Sequence, residues 1–341
     1  MRKLSLWIVL LLLLFPASAA AQGALFPALF DPVDQHMQQL AVMSQQDDII
    51  GDLPYNQGTI RARGCAPLSI ANPLIAAFGV TDRETAADLV YEIMAVLTPK
   101  RQYRRRPVAV ERIARVLHQA DRAESMEDFP QLAHYVGQYP GVIHVTDEDL
   151  TPENMRALLA SSSASLLTGR VCVQEDWTQV VRAIYALHEM GHGDAFLYLG
   201  YAGAGTSSTG APLRSGKSGH YLAAAIHVGT FVRNGALYIL DSLPRALEGE
   251  PFGPEHTCHA AYPFIEDEAD TRFPFAPTRI SPTVIRLSPQ EDMLRSMTVL
   301  QQKSFSSPQE KQDALLALHT GQLAALKLYG RCVMLVALPG A

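Results

Sequence analysis

Gln57, Cys65, His220 and Asp241 are the side-chain types that acyl transfer through a thiol requires. Cys65 stands in RGCAPLSIANPLIAAFG, where apolar residues at 68, 71, 74, 75 and 78 mark one stripe of a helix. A thiolate is the nucleophile in such chemistry, and its pKa falls at a helix N-terminus, where unpaired N–H groups favour negative charge. Pro67 suits that first turn because it has no N–H to lose there. The oxyanion formed by attack on a carbonyl needs donors: the Cys65 N–H is one, and the amide of Gln57, upstream in LPYNQG, is the other. The plain alternative makes Cys65 a small buried hydrophobe, and spacing alone does not separate the two.

A thiol nucleophile also needs an imidazole to take its proton and a third group to orient the ring. His220 opens the apolar run HYLAAAIHV, and Asp241 closes the next one, ALYILDSLP. In an antiparallel pair these two ends lie together, provided that the connection spans about eight residues. Asn234-Gly235 is a hairpin signal, and a tight turn there would bring His227 to Asp241 instead. His220 is preferred, since His227 lies deep in an apolar run. Asp241 also suits a turn before Ser242 and Leu243.

A competing constellation lies in ALHEMGHGDAF. His188, Glu189 and His192 fit H-E-x-x-H, in which two histidines on one helical face hold zinc and the glutamate acts as base. Gly191 and Gly193 flank the second histidine, as glycines do where a helix ends. Ala195 and Tyr198 occupy the glycine and third-histidine positions of the longer motif. The same residues read simply as a helix C-terminus whose histidines complement the dipole. A zinc metallopeptidase is the alternative to the thiol enzyme, which itself calls for no cofactor or metal.

The elements that must position these residues follow from periodicity and punctuation. Helices are expected over FDPVDQHMQQLAVMSQQ, from Leu68 to Phe78 with Pro73 as a kink, and over ETAADLVYEIMAVL, VAVERIARVLHQA and TPENMRALLAS. Another runs from Thr178 to Glu189, and a last one lies in QEKQDALLALHTGQLAALKLYG. Strands are expected in DAFLYLGY, HYLAAAIHVGTF, ALYILDSL and CVMLVAL, and loops in GDLPYNQGTIRARG and the Gly/Ser-rich stretch 202–219. Helices come first and strands later, without βαβ alternation, which is an α+β order.

The N-terminus reads MRKLSLWIVLLLLLFPASAAAQG: a basic start, an apolar run from Leu4 to Phe15 and small residues at the cleavage positions. That is a secretory signal peptide over residues 1–21, short for a membrane span, with an uncleaved anchor as its rival. The protein is expected to be exported, periplasmic or secreted, and not stably inserted in a membrane. Cleavage removes Arg2 and Lys3 from 28 basic residues and none from 34 acidic ones, so 26 against 34 gives −8. That balance argues against nucleic acid as a partner. The basic cluster PKRQYRRRP reads as a solvated linker. With Cys65 kept as a thiol, one disulfide at most forms among Cys172, Cys258 and Cys332, and spacing does not choose it.

The two islands LPYNQG…RGCAPLSIANPLIAAFG and GHYLAAAIHV…NGALYILDSLP resemble the papain-like cysteine peptidase fold, and are most similar to its C39-like peptidase and phytochelatin-synthase-like branches. The resemblance implies Cys65 as nucleophile, His220 as base and acid, Asp241 as orienter and Gln57 as oxyanion donor. It implies a peptide or protein substrate and hydrolysis of its peptide or isopeptide bonds, or transpeptidation if an amine or thiol replaces water; a non-catalytic binding module is the remaining possibility. Ala66 stands where the family has glycine, and Pro73 interrupts the nucleophile helix. The expected organisation is a signal peptide (1–21), a helical segment (22–47) and a papain-like domain (48–288). That domain carries a helical insertion (81–170), and a helix and strand (289–341) pack against it.

Overall fold

The computed structural model describes residues 31–55, 58–97, 129–139, 141–145, 152–161, 166–172, 177–204, 220–242, 275–326, 328–329 and 331–338. The expected signal peptide, the 99–107 cluster, the helix over 108–120, residues 205–219 and Cys258 lie outside them. Contacts divide the chain into two units, residues 1–39 and 40–341. In the first, α1 (Pro32–Gln39) starts where the Asp31 carboxylate accepts a hydrogen bond from the Val33 amide at 3.0 Å.

The second unit begins with a small hairpin, β1 (Pro54–Tyr55) with β2 (Gly58–Thr59). It leads through α2 (Ile60–Arg63) into α3 (Cys65–Ala77) and then α4 (Arg83–Leu97). The Asp82 carboxylate caps α4 by accepting from the Thr85 amide at 2.8 Å. Next come α5 (Pro130–Val136), β3 (Val142–Val145), α6 (Pro152–Ser161), β4 (Leu166–Cys172), α7 (Trp177–Glu189) and β5 (Phe196–Ala204). They are followed by β6 (His220–His227), α8 (Val228–Asn234), β7 (Leu237–Leu240), β8 (Phe275–Ser281) and β9 (Val284–Pro289). The chain ends with α9 (Glu291–Gln302), α10 (Pro308–Ala324), β10 (Leu328–Tyr329) and β11 (Arg331–Ala337).

Nine strands form one sheet in the order β3-β4-β11-β5-β6-β7-β9-β8, with β10 beside β5. The C-terminal strand thus lies inside the sheet, between β4 and β5. The class is α+β, mixed helix and largely antiparallel sheet. One pair departs from the sequence expectation: β3 and β4 are parallel and joined through α6, a βαβ unit within the stretch 81–170. These strands are short and were not legible as alternation. The presumed loop before Cys65 contains the β1–β2 hairpin and α2. Asn234-Gly235 closes a helix rather than a hairpin. Gly235, at φ 73°, is the left-handed cap of α8, and the Asn234 side chain accepts from the Ala236 amide at 3.0 Å.

The two sheet faces bury different helices. Leu197, Leu199, Leu222, Ala224, Ile226, Leu237 and Ile239 join the core that includes Val180, Ile184 and Leu187 of α7 and Leu323 of α10. On the opposite face α3 crosses β5, β6, β7 and β11, and α4 packs on α3. Pro67 through Ala76 of α3 are all buried, so this helix is enclosed on every side, Ser69 and Asn72 included. Pro73 does not end it. A proline there deprives the Ser69 carbonyl of its helical partner, and β5 comes close to that same oxygen. A Cβ built on Gly200 would stand 2.6 Å from the Ser69 oxygen and 3.3 Å from Pro73 Cγ. Glycine at 200 is what permits the approach.

On the α7–α10 side His319 is fully buried. Its ring lies 4.7 Å from that of Phe231, and Nδ1 lies 3.0 Å from the Tyr185 hydroxyl. Nε2 has no partner among the described residues. Burial pushes this imidazole down from 6.5 to about 4. As pH falls, the unfolded chain takes the proton first. The contribution of the neutral ring is therefore complete above 6.5 and is lost on the way down to about 4.

Two outcomes are expected in urea unfolding. At pH 5, His319 should lower stability by about 2 kcal/mol relative to pH 7.5, and His319→Leu should flatten that share of the slope; an unaltered slope in the variant places the acid sensitivity elsewhere. Gly200→Ala should lower stability by about 1–3 kcal/mol through overpacking against Ser69. An unchanged midpoint would mean that the sheet and α3 do not meet there.

Candidate active site

Cys65 is the first residue of α3, half-buried and in no disulfide. The approach to it is fixed by backbone bonds. The Ile60 amide donates to the Leu53 carbonyl at 3.0 Å, and the Gly64 amide donates to the Ile60 carbonyl at 2.7 Å. α2 therefore abuts α3 at Gly64. A Cβ at that position would stand 2.6 Å from both the Ile60 carbonyl oxygen and its Cγ2. The amides of Cys65 and Ala66 open the turn and Pro67 brings none, so partial positive charge gathers beside the sulfur.

Tyr55, on β1, is buried, and burial pushes its phenol up to about 12. Charge on Cys65 and on Tyr221 adds to the shift, which makes the three side chains electrostatic neighbours. Tyr221 belongs there by register. Tyr198 pairs with Ala225, and Gly200 on the same face of β5 touches α3. Ala225, Ala223 and Tyr221 thus alternate onto the α3 face.

His220 is the first residue of β6, paired with Ala204. Its place in the alternation is that of Leu222 and Ala224, the face turned away from α3, so the strand register does not by itself bring it to Cys65; its side chain lies outside the described residues. Leu240 pairs with Ala223, so one further step sets Asp241 opposite Leu222, two residues from His220. The nine-residue connection through α8 produces this register. Asp241 is buried, and its amide donates to the Thr283 carbonyl at 2.9 Å. His227 caps α8: its Nδ1 accepts from the Thr230 amide at 3.2 Å. Gln57 lies outside the described residues.

Residues 40–45 tie the strand end to the nucleophile helix. Asn72, fully buried in α3, accepts from the Met43 amide at 2.9 Å and donates to the Met43 carbonyl at 3.0 Å. The Gln45 amide donates to the Ser242 carbonyl at 2.6 Å, and its side chain donates to the Ile60 carbonyl at 3.1 Å. Thr283 Oγ1 donates to the Val42 carbonyl at 2.9 Å. One buried glutamine thus spans from the residue after Asp241 to the turn before Cys65.

Sequence reasoning missed Tyr55, Tyr221, Asn72 and Gln45. The visible signal was Ala223-Ala224-Ala225, small residues where a helix can lie close to a sheet. Nothing local marks Gln45 as a bridge.

The zinc-like motif is split by the fold. α7 ends at Glu189, Gly191 turns with φ 88°, and His192 follows beyond the helix. The Glu189 carboxylate engages Arg156 and Gln312. Among the described residues no group of three His, Cys, Asp or Glu side chains is arranged to hold a metal ion, and no helix is long and apolar enough to cross a membrane. No family model matches the chain, and no curated protein or solved structure matches it either.

Gly64→Ala should displace the first turn of α3, slow iodoacetamide labelling of Cys65 severalfold at pH 7 and lower stability by about 1–3 kcal/mol. Labelling at the wild-type rate, read by mass spectrometry, would show that the abutment of the two helices does not set the position of the sulfur.

Proposed function

We propose that the protein is an exported papain-like cysteine peptidase, or a related acyltransferase, acting on peptide or isopeptide bonds. Cys65 is the nucleophile, His220 carries the proton, Asp241 orients the imidazole and Gln57 supplies an oxyanion donor. The observation that supports this most is the position of Cys65. It is half-buried at the first turn of an otherwise buried helix that packs on β6. The residue after Asp241 is bound through Gln45 to the carbonyl of Ile60, in the short helix before Cys65.

In this reading the Cys65 thiolate attacks the carbonyl carbon while the imidazolium of His220 holds the thiol proton. The tetrahedral oxyanion rests on the Cys65 amide and Gln57. The C–N bond breaks, the amine leaves with the proton from His220, and a thioester remains. Water then attacks, giving its proton to His220, and the acid departs as the thiol is restored. An amine or thiol acceptor in place of water gives acyl transfer with the same groups.

Turnover of a fluorogenic peptide pool tests this. Cys65→Ala should abolish it, His220→Ala should lower it by at least about a hundredfold, and chelators should leave it intact. Full turnover by Cys65→Ala, or loss to a chelator with Cys65 unmodified, would overturn the reading.

A further inference from the structure

α10 is held to the molecule by few buried side chains, and most of them are polar. Over its 17 residues only His319, Gln322 and Leu323 are buried, with Leu315 and Leu316 packed half-buried against the same core. Gln322 and Leu323 stand three and four residues beyond His319, so the three share one face. Two of them reach α8, the connection between β6 and β7. The His319 ring lies 4.7 Å from that of Phe231, and Gln322 Nε2 donates to the Gly235 carbonyl at 2.8 Å. A Cβ on Gly235 would stand 2.7 Å from that same amide, so the fit is close. The third contact is with α7, where the Tyr185 hydroxyl lies 3.0 Å from His319 Nδ1. Each polar side chain nonetheless keeps an unused atom: among the described residues, His319 Nε2 and Gln322 Oε1 are buried without a hydrogen-bond partner. A grip built this way is weak, and an element held weakly opens ahead of the rest of the fold.

We propose that the junction of α7, α8 and α10 is an acid-operated latch: a proton on His319 frees α10 from α7 and from the β6–β7 connection while the sheet stays folded. The latch is independent of the chemistry assigned to Cys65. The added proton gives the ring a charge and two N–H donors; Tyr185 can accept from one, and Nε2 faces no acceptor. No charge compensates. Tyr185, the titratable group that faces the ring from α7, is itself pushed up to about 12 by burial and stays neutral. The titratable groups of α8, His227 and Arg233, are turned to Thr230. On α10 the charged side chains stand six or more residues back, where Glu310 accepts from Ser306, Lys311 donates to the Gln301 carbonyl and Asp313 accepts from Gln309. The sheet face below offers Leu237, Ile239 and Leu287. Burial alone lowers the imidazole from 6.5 to about 4, so the opened form takes the proton first.

The test is hydrogen exchange by mass spectrometry on the full chain between pH 7.5 and 5, with rates corrected for the intrinsic effect of pH. Opening of residues 312–326 and 228–236 should rise together about thirtyfold at pH 5, the factor that a fall from 6.5 to about 4 gives. It should depend little on added urea, whereas exchange in β5 and β6 should be slower and rise steeply with urea. His319→Leu and His319→Asn should both abolish the rise. The second keeps a polar partner for Tyr185, so one variant serves if the other folds poorly. A rise that survives in either variant overturns the latch. So does exchange of 312–326 at the same rate and with the same urea dependence as β5 and β6, which would make the acid response a property of the whole fold.

Discussion

A helix with no side facing water must have every polar group answered from inside the protein, and α3 is such a helix. Its interior asparagine is the group hardest to satisfy, because an amide both donates and accepts. The backbone of Met43 does both for Asn72. That one reciprocal pair draws residues 40–45 across α3. The same segment then bonds the end of β7, the turn at Thr283 and the carbonyl of Ile60. The buried amide of Asn72 thereby helps to set where α3, and Cys65 at its start, lies relative to the strand ends.

The charge environment of the thiol follows from the same burial. The first turn of α3 supplies partial charges fixed by backbone geometry, and the buried phenol of Tyr55 is a second group close by. Such dipoles act over a few ångströms and are little screened by salt, unlike exposed cations.

The helices were legible where their apolar stripe is local. α3, α4, α7 and α10 all fall where periodicity sets them, and Cys65 opens its helix as the glycine and proline around it imply. The sheet was less legible. The segment FAPTRISPTVIRLSP carries three prolines yet forms the β8–β9 hairpin, because β8 is an edge strand, where a missing N–H is tolerated. Asn234-Gly235 misled because a left-handed glycine serves a helix cap as well as a tight turn. At the site, residue types could be read but partners could not. Gln45 to Ile60 and Thr283 to Val42 are pairings across distance in the chain, and no spacing rule encodes them.

Three local irregularities meet where α3 crosses the sheet. Pro73 removes a helical hydrogen bond, Gly200 leaves a gap in β5, and a bulge in β5 sets Gly200 and Tyr201 against Ala223 alone. Each is destabilising by itself in a regular element. Together they are one adaptation. The orphaned Ser69 carbonyl and the proline ring occupy the space that a side chain at 200 would fill. Beyond the bulge β5 and β6 pair again from Ala202 with Leu222 to Ala204 with His220, and α3 meets β5 at Ser69, Ile70 and Pro73. Departures from local preference that coincide in space, each relieving another, fix where α3 sits on the sheet. That contact falls one to two turns beyond Cys65.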